Sequence, residues 1–142
     1  EEEADTTYIS IHEHPSFSYP GTGWAEDRGF GAGKGTILNL PLPPGSGEEQ
    51  VVRLLPRIRK FLEEARPDAL IVGAGFDAHR EDDMSGLNFS VDVYRRLGSF
   101  VTELGRDLTG GRVVSILEGG YNLDQLGICA EAYLSGLVEN NP

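Results

Sequence analysis

The sequence predicts an α/β fold, a mainly parallel sheet flanked by helices, and three observations predict it. Strand-like and helix-like patterns alternate along the 142 residues, the order from which right-handed βαβ crossovers are built. The run Ala69-Leu-Ile-Val-Gly73 is apolar without alternation, as strands covered on both faces of a parallel sheet are. Capping or breaking residues flank the helical patterns. In such sheets ligands bind beyond the carboxyl ends of the strands, so chemistry is expected in the loop after each strand.

Tyr8 to His12 reads as the first strand. Glu13 to Gly35 is a long irregular segment rich in Gly, Pro and aromatics; it exceeds the usual loop length, which marks it as a candidate functional loop. Thr36 to Leu42 is a short strand or extended segment, stopped by Pro43-Pro44-Gly45. Ser46 with Glu49 three residues on makes a capping box, and Val51, Leu54, Leu55, Ile58, Phe61 and Leu62 recur at helical spacing. The spacing predicts a helix over Glu48 to Ala65, bent near Pro56 where a backbone donor is missing. Arg66-Pro67-Asp68 breaks it. Ala69 to Gly75 is a strand buried on both faces, and Asp77 to Asn88 is a second loop. Ser90 caps the next helix, with Val93, Leu97, Phe100, Val101, Leu104 and Leu108 as its apolar face and Gly110-Gly111 at its end. Arg112 to Leu117 is another buried strand and Glu118 to Asn122 its exit loop. Leu123 to Val138 is a final helix with Leu126, Ala130, Tyr133, Leu134 and Leu137 on one face.

Composition narrows the function classes. With 39% hydrophobic and 25% charged residues, the chain suits one globular domain. A net charge of −11 without a Lys/Arg cluster argues against nucleic acid or an anionic membrane as partner. The single Cys129 lies in a helix-like apolar pattern, has no internal disulfide partner, and suggests a reducing, cytoplasmic compartment. No apolar run approaches the roughly 18 residues of a membrane span, and no charged-then-apolar leader opens the chain. The start, Glu1-Glu2-Glu3-Ala4-Asp5, lacks Met and reaches a strand by Tyr8, as the back part of something longer does; a processed start looks the same. Residues 1–7 read as a solvated acidic tail.

Several chemistries are excluded by spacing. The segment Gly29 to Gly35 looks like a phosphate loop, yet the Walker pattern needs Gly at 28 and Ser or Thr at 35, where this chain has Arg28 and Gly35; the dinucleotide spacing fails as well. There is no GxSxG elbow for a nucleophilic Ser. His12 and His14 point the same way from a strand, but no third metal ligand is fixed nearby by the sequence.

Five motifs stand in register: AGFDAH (Ala74 to His79), PGTG (Pro20 to Gly23), GAGKG (Gly31 to Gly35), NLPLPPGSG (Asn39 to Gly47) and LEGGYNL (Leu117 to Leu123). Their order and spacing resemble the C-terminal half of the zinc-dependent histone deacetylase superfamily, in particular its acetoin-utilisation-like and class II-like branches and the acetylpolyamine amidohydrolases. The resemblance runs from Tyr8 to Val138 and implies a partial deacetylase domain over residues 1–142, of the arginase-like fold. It also implies hydrolysis of an acyl-lysine peptide or an acetylated small amine, with zinc as cofactor. Asp77 matches one of the family's three zinc ligands and Tyr121 its catalytic tyrosine. A carboxylate is a proper hard ligand for zinc, and a neutral phenol can stabilise an oxyanion without titrating. Gly119 and Gly120 match the turn that lets the phenol swing toward the metal. Tyr19 matches an aromatic wall of the acyl-lysine channel, and Ser10 and Ile11 match positions at a structural monovalent-cation site, for which potassium is the expected ion.

The departure from the family is as informative as the match. The Asp-x-His motif that carries the other two zinc ligands and the paired His residues that act as general base belong to the family's N-terminal half, outside the five motifs that this chain matches. Three readings follow. The chain is the C-terminal part of a deacetylase whose missing N-terminal half, or a self-associated copy, is its partner. Alternatively it is a catalytically silent binding module. The third reading is a different hydrolase with a metal site assembled from Asp77 with His12, His14 or His79, within the chain or across a dimer. Tyr19 could equally be ordinary loop packing, His79 reads as structural, and Glu118 either supports the site or bonds within its loop.

Overall fold

The computed structural model describes Glu2 and residues 4–139. Strand β1 (Tyr8–Glu13) is followed by the long loop, which contains a single 3₁₀ turn at Gly31–Gly33, and by β2 (Ile37–Leu42). Helix α1 (Glu48–Ala65), β3 (Leu70–Ala74), α2 (Val91–Thr109), β4 (Val113–Leu117) and α3 (Leu123–Glu139) complete the order. All pairing between strands is parallel. β1 pairs with β2 from Tyr8 opposite Ile37 to Glu13 opposite Leu42, and β3 pairs with β4 from Leu70 opposite Val113 to Ala74 opposite Leu117. Among the described residues the two pairs do not join into one sheet.

The doubly buried strand is β2, not β3. Ile37, Leu38, Asn39, Leu40 and Leu42 are all buried, so β2 is covered on both faces. In β3 and β4 the alternation of strand faces leaves Leu70, Val72 and Val113 half-buried on one side. On the other side Ile71, 77% exposed, stands with Val114 and Ile116 in the open. The expectation of two covered faces fails here: these side chains stay exposed, with the exposed Glu118 carboxylate over Gly73 on the same side.

The helix ends follow local chemistry. The N-cap of α1 is Gly47, one residue later than the Ser46 box predicts. Gln50 Oε1 accepts the Gly47 N–H at 2.9 Å, while the Ser46 hydroxyl donates to the Pro43 carbonyl at 2.6 Å. The helix continues through Pro56. Its C-cap Arg66 is left-handed (φ 52°) with its N–H on the Leu62 carbonyl. Ser90 is the N-cap of α2 but makes no side-chain capping bond, and Gly110 (φ 60°) closes the helix.

Helices α2 and α3 touch backbone to backbone. A Cβ at Gly98 would lie 3.1 Å from the Tyr133 carbonyl carbon and closer still to its oxygen; one at Gly136 would lie 2.8 Å from the Ser99 nitrogen. The Thr102 hydroxyl donates to the Leu137 carbonyl across the crossing at 2.8 Å, and Arg95 pairs with Glu139. Around this contact Phe76, Phe89, Val93, Tyr94, Cys129 and Tyr133 form the main core, and Leu38, Leu40, Ile58, Leu62 and Leu104 form a second. Cys129 is fully buried, as its pattern predicts; Leu134, assigned to the same apolar face, is exposed. Among the described residues no helix is long and apolar enough to cross a membrane.

Candidate active site

The loops after β3 and β4 lie side by side because their strands are neighbours in register. Phe76, two residues beyond β3, lies in the core, edge-on to Tyr133 and 5.1 Å from the ring of Tyr94. The Tyr94 hydroxyl donates to the Phe76 carbonyl at 3.0 Å, and the Phe76 N–H donates to the Gly119 carbonyl at 2.8 Å. These bonds fix the next residue, Asp77, against the second loop. Its carboxylate lies on Gly119, where a Cβ would come within 2.8 Å of Asp77 Cγ, and a Cβ at Gly75 would stand 3.2 Å from Asp77 Oδ1. Glycine at both positions makes the cradle. Gly120 (φ 137°) turns the chain above Phe76, and Tyr121 follows, 61% exposed. The structure thus brings Asp77, Gly119, Gly120 and Tyr121 together.

The surroundings of Asp77 disfavour its charged form. Burial raises its carboxyl above the ordinary value, its own backbone N–H works against that, and the charges of Asp82 and Glu118 push it further up. Glu118 is exposed and lies over Gly73, whose added Cβ would meet its carboxyl carbon at 2.6 Å.

Tyr19, Ser10 and Ile11 belong to the other strand pair. Tyr19 is 96% exposed, so almost nothing packs on it. It edges an open cleft of about 770 Å³ that is also lined by Ser10, His12, Thr22 and Asn39 and does not include Asp77 or Tyr121. His12 ties the long loop to β1: Nε2 lies 2.9 Å from the Gly23 carbonyl and Nδ1 2.7 Å from Ser10 Oγ. A carbonyl only accepts, so Nε2 carries the proton; in the neutral ring Nδ1 then accepts from the Ser10 hydroxyl, whose lone pairs stay free. Asn39 reinforces the tie through Nδ2 on the Trp24 and Asp27 carbonyls, both at 3.1 Å.

His14 is taken up by packing edge-on against Trp24, ring centroids 5.1 Å apart. His79 is buried, and its Nδ1 accepts the Glu81 N–H at 3.3 Å. Among the described residues no three His, Cys, Asp or Glu side chains gather closely enough to hold a metal ion. A catalytic zinc takes three protein ligands, and the described residues gather no such set, so by themselves they do not fit zinc. The reading in which Asp77 recruits a histidine of the same chain loses its support.

Sequence reasoning passed over two buried carboxylates. Glu13, at the end of β1, accepts the Gly86 N–H at 3.0 Å and so joins the first strand to the Asp77 loop. Asp82 accepts the N–H groups of Tyr121 at 2.6 Å and Asn122 at 2.9 Å with Oδ2, and of Met84 at 3.0 Å with Oδ1. Burial alone would raise its carboxyl; the Tyr121, Asn122 and Met84 donors outweigh that and hold it below the ordinary value, with the nearby His79 acting in the same direction.

Known proteins share both the sequence and the geometry. The family model for the histone deacetylase domain matches residues 1–137. Histone deacetylase 14, chloroplastic, of Arabidopsis thaliana is 41% identical over 132 residues, covering 88% of this chain and 29% of that protein. The acetylpolyamine amidohydrolase of Burkholderia pseudomallei is 36% identical over 137 residues, covering 93% of this chain and 38% of that protein. The chain therefore spans well under half the length of these relatives. Among solved structures, an acetylpolyamine aminohydrolase from Burkholderia pseudomallei superposes with a TM-score of 0.83 at 34% identity, over 92% of this chain and 37% of that one. The histone deacetylase Clr3 superposes with a TM-score of 0.88 at 32% identity, over 99% of this chain and 24% of the other. The expected α/β deacetylase fold is thus observed, and the chain belongs to the histone deacetylase domain family.

Proposed function

We propose that this chain is the C-terminal portion of a zinc-dependent deacetylase that hydrolyses the amide of an acyl-lysine or an acetylated amine. The observation that carries the reading is the Asp77 carboxylate, cradled by Gly75 and Gly119 beside the loop of Tyr121. When bound, zinc supplies polarisation of the amide carbonyl and activation of water. Asp77 contributes one hard oxygen ligand, and the remaining ligands and the general base come from outside the chain. The Tyr121 hydroxyl donates a hydrogen bond to the oxygen on which negative charge develops. Tyr19 walls the acyl-lysine channel, and Ser10 with Ile11 contributes to a site for a monovalent cation such as potassium. The partner is the N-terminal half of the domain or a second copy. The strongly acidic charge disfavours nucleic acid and anionic membranes as partners, and the unpaired Cys129 suits a cytoplasmic, reducing compartment.

A second reading, a catalytically silent binding module, is favoured by the apolar β3–β4 face with Ile71, Val114 and Ile116 exposed, since such patches mark interaction surfaces. Hydrolysis of a fluorogenic acetyl-lysine peptide separates the two. It is measured for the 142-residue chain with added zinc, alone and with the missing half of the domain supplied. Activity that appears only with that half and disappears in Asp77→Asn and Tyr121→Phe supports the divided deacetylase; silence in both conditions supports the binding module.

A further inference from the structure

Asp82 has no place in the proposed chemistry, yet the chain spends a buried carboxylate on it. It is 5% exposed, and among the described residues no Lys or Arg forms an ion pair with it. Burying a carboxylate without a cation is costly unless its oxygens are satisfied by donors. Here they are, by three backbone N–H groups. One of the three, from Met84, closes Asp82's own turn. The other two cross from the loop after β3 to the loop after β4, a separation of 39 and 40 residues, and they belong to Tyr121 and its successor.

Apart from the Phe76–Gly119 bond, little else holds that stretch of main chain. Gly119 and Gly120 precede Tyr121 and bring no side chains, and Tyr121 is largely exposed. The remaining cross-links come from the same side: Asn122 Nδ2 donates to the Glu81 carbonyl at 2.6 Å, and Gln125 Nε2 donates to Glu81 Oε2 at 3.1 Å. Hydrogen bonds to a charged acceptor are about twice as strong as neutral ones, and of these the Asp82 carboxylate bonds the Tyr121 N–H itself.

We propose that Asp82 is a positioning residue: by accepting the N–H groups of Tyr121 and Asn122, it fixes the main chain from which the phenol projects, relative to Asp77 on the same loop as Asp82. The catalytic consequence rests on the deacetylase reading; the clamp itself does not. Displacing a reacting group by about 1 Å costs on the order of a hundredfold in rate, while substrate contacts made away from Tyr121 should keep their strength.

Two measurements test the proposal. In the 142-residue chain, amide hydrogen exchange of Tyr121 and Asn122 is followed by NMR in wild type, Asp82→Ala and Asp82→Asn, with the buried Val93 amide as an internal control. Both loop amides should exchange at least roughly tenfold faster in the Ala variant and be partly protected again in the Asn variant, which keeps one acceptor oxygen, while Val93 stays unchanged. Unchanged exchange at 121 and 122 would overturn the proposal. In the enzyme assembled with the missing half, Asp82→Ala should lower kcat on the order of a hundredfold with KM within about twofold, and should cost nothing further in a Tyr121→Phe background. Equal losses in both backgrounds would mean a general structural role and would also overturn it. An assembled wild type that shows no hydrolysis, with loop protection still lost in Asp82→Ala, removes the deacetylase reading and leaves the clamp standing.

Discussion

Replacing Gly98 by Ala is the sharpest test of the packing. By helix propensity alone, Gly to Ala inside a helix stabilises by about 1 kcal/mol. At Gly98 the new Cβ would stand 3.1 Å from both the Tyr133 carbonyl carbon and the Leu137 nitrogen, and nearer yet to the Tyr133 oxygen, all of them backbone atoms of α3. No rotamer change relieves such a clash; the helices must separate. A gap of about 0.5–1 Å forfeits a quarter to a half of each dispersion contact along the crossing, and overpacking of this kind costs about 1–3 kcal/mol. With the backbone on both sides the upper end applies, so the net loss is about 2 kcal/mol after the propensity gain. Gly127→Ala is the matched control. It is also inside α3, but a Cβ there meets nothing within 4 Å, so it should gain roughly 0.5–1 kcal/mol. Urea unfolding followed by circular dichroism at constant m reads both. A Gly98→Ala chain as stable as wild type, or variants that shift in the same direction, would refute the helix contact.

Tyr121→Phe should lower turnover of the assembled enzyme on the order of a hundredfold or more without weakening metal binding, whereas Asp77→Asn should weaken zinc retention, read by metal analysis after dialysis. Asp82 sets part of the acid limb of stability. Its carboxyl is lowered in the folded chain, so its contribution is complete above the unfolded carboxylate range near about pH 4 and is lost as pH falls through the lowered value. Asp82→Asn, compared with wild type by thermal unfolding from pH 6 to pH 3, should lack that portion. Asp77 has the opposite sign: its raised carboxyl makes stability fall as pH rises from the unfolded value through the raised one. Ile71→Lys, on the open β3–β4 face, should change stability by no more than about 0.5 kcal/mol. It should also shift the chain toward monomer in sedimentation velocity, and an unchanged association state would show that this face makes no self-contact.

Element order and boundaries were legible because each rests on a local signal. The periodicity of α1 from Val51 to Leu62, the Gly110 stop of α2 and the Pro43-Pro44 break after β2 act within a few residues of where they are read. The placement of Asp77 and Tyr121, in the loops that follow β3 and β4, was legible through the motifs around them. What could not be read is long-range. Ser46 and Gly47 compete for the cap, and the choice depends on Pro43 and Gln50 together. The apolar runs of β2 and β3 look alike, but only the packing of the rest of the chain decides which is covered twice. Gly98 and Gly136 look like weak points in helices until the two meet across α2 and α3. Asp82 is one of three consecutive acids in a polar loop, Glu81-Asp82-Asp83, and nothing local distinguishes the one whose oxygens find amides 39 residues away.

The division of the strands into two parallel pairs separates two properties that enzymes usually couple. Asp77 and Tyr121 ride on β3 and β4, bound to each other by the Phe76–Gly119 bond and the Asp82 contacts. Tyr19 and the cleft beside it ride on β1 and β2, stapled by His12 and Asn39. On the deacetylase reading, the first pair holds the reactive geometry and the second shapes the entrance. On the same reading, sequence drift in the loop between His14 and Gly35 would retune which acyl carrier is admitted while the acid and the phenol keep their spacing, and one unchanged reaction centre would be refitted to new substrates by editing a single loop.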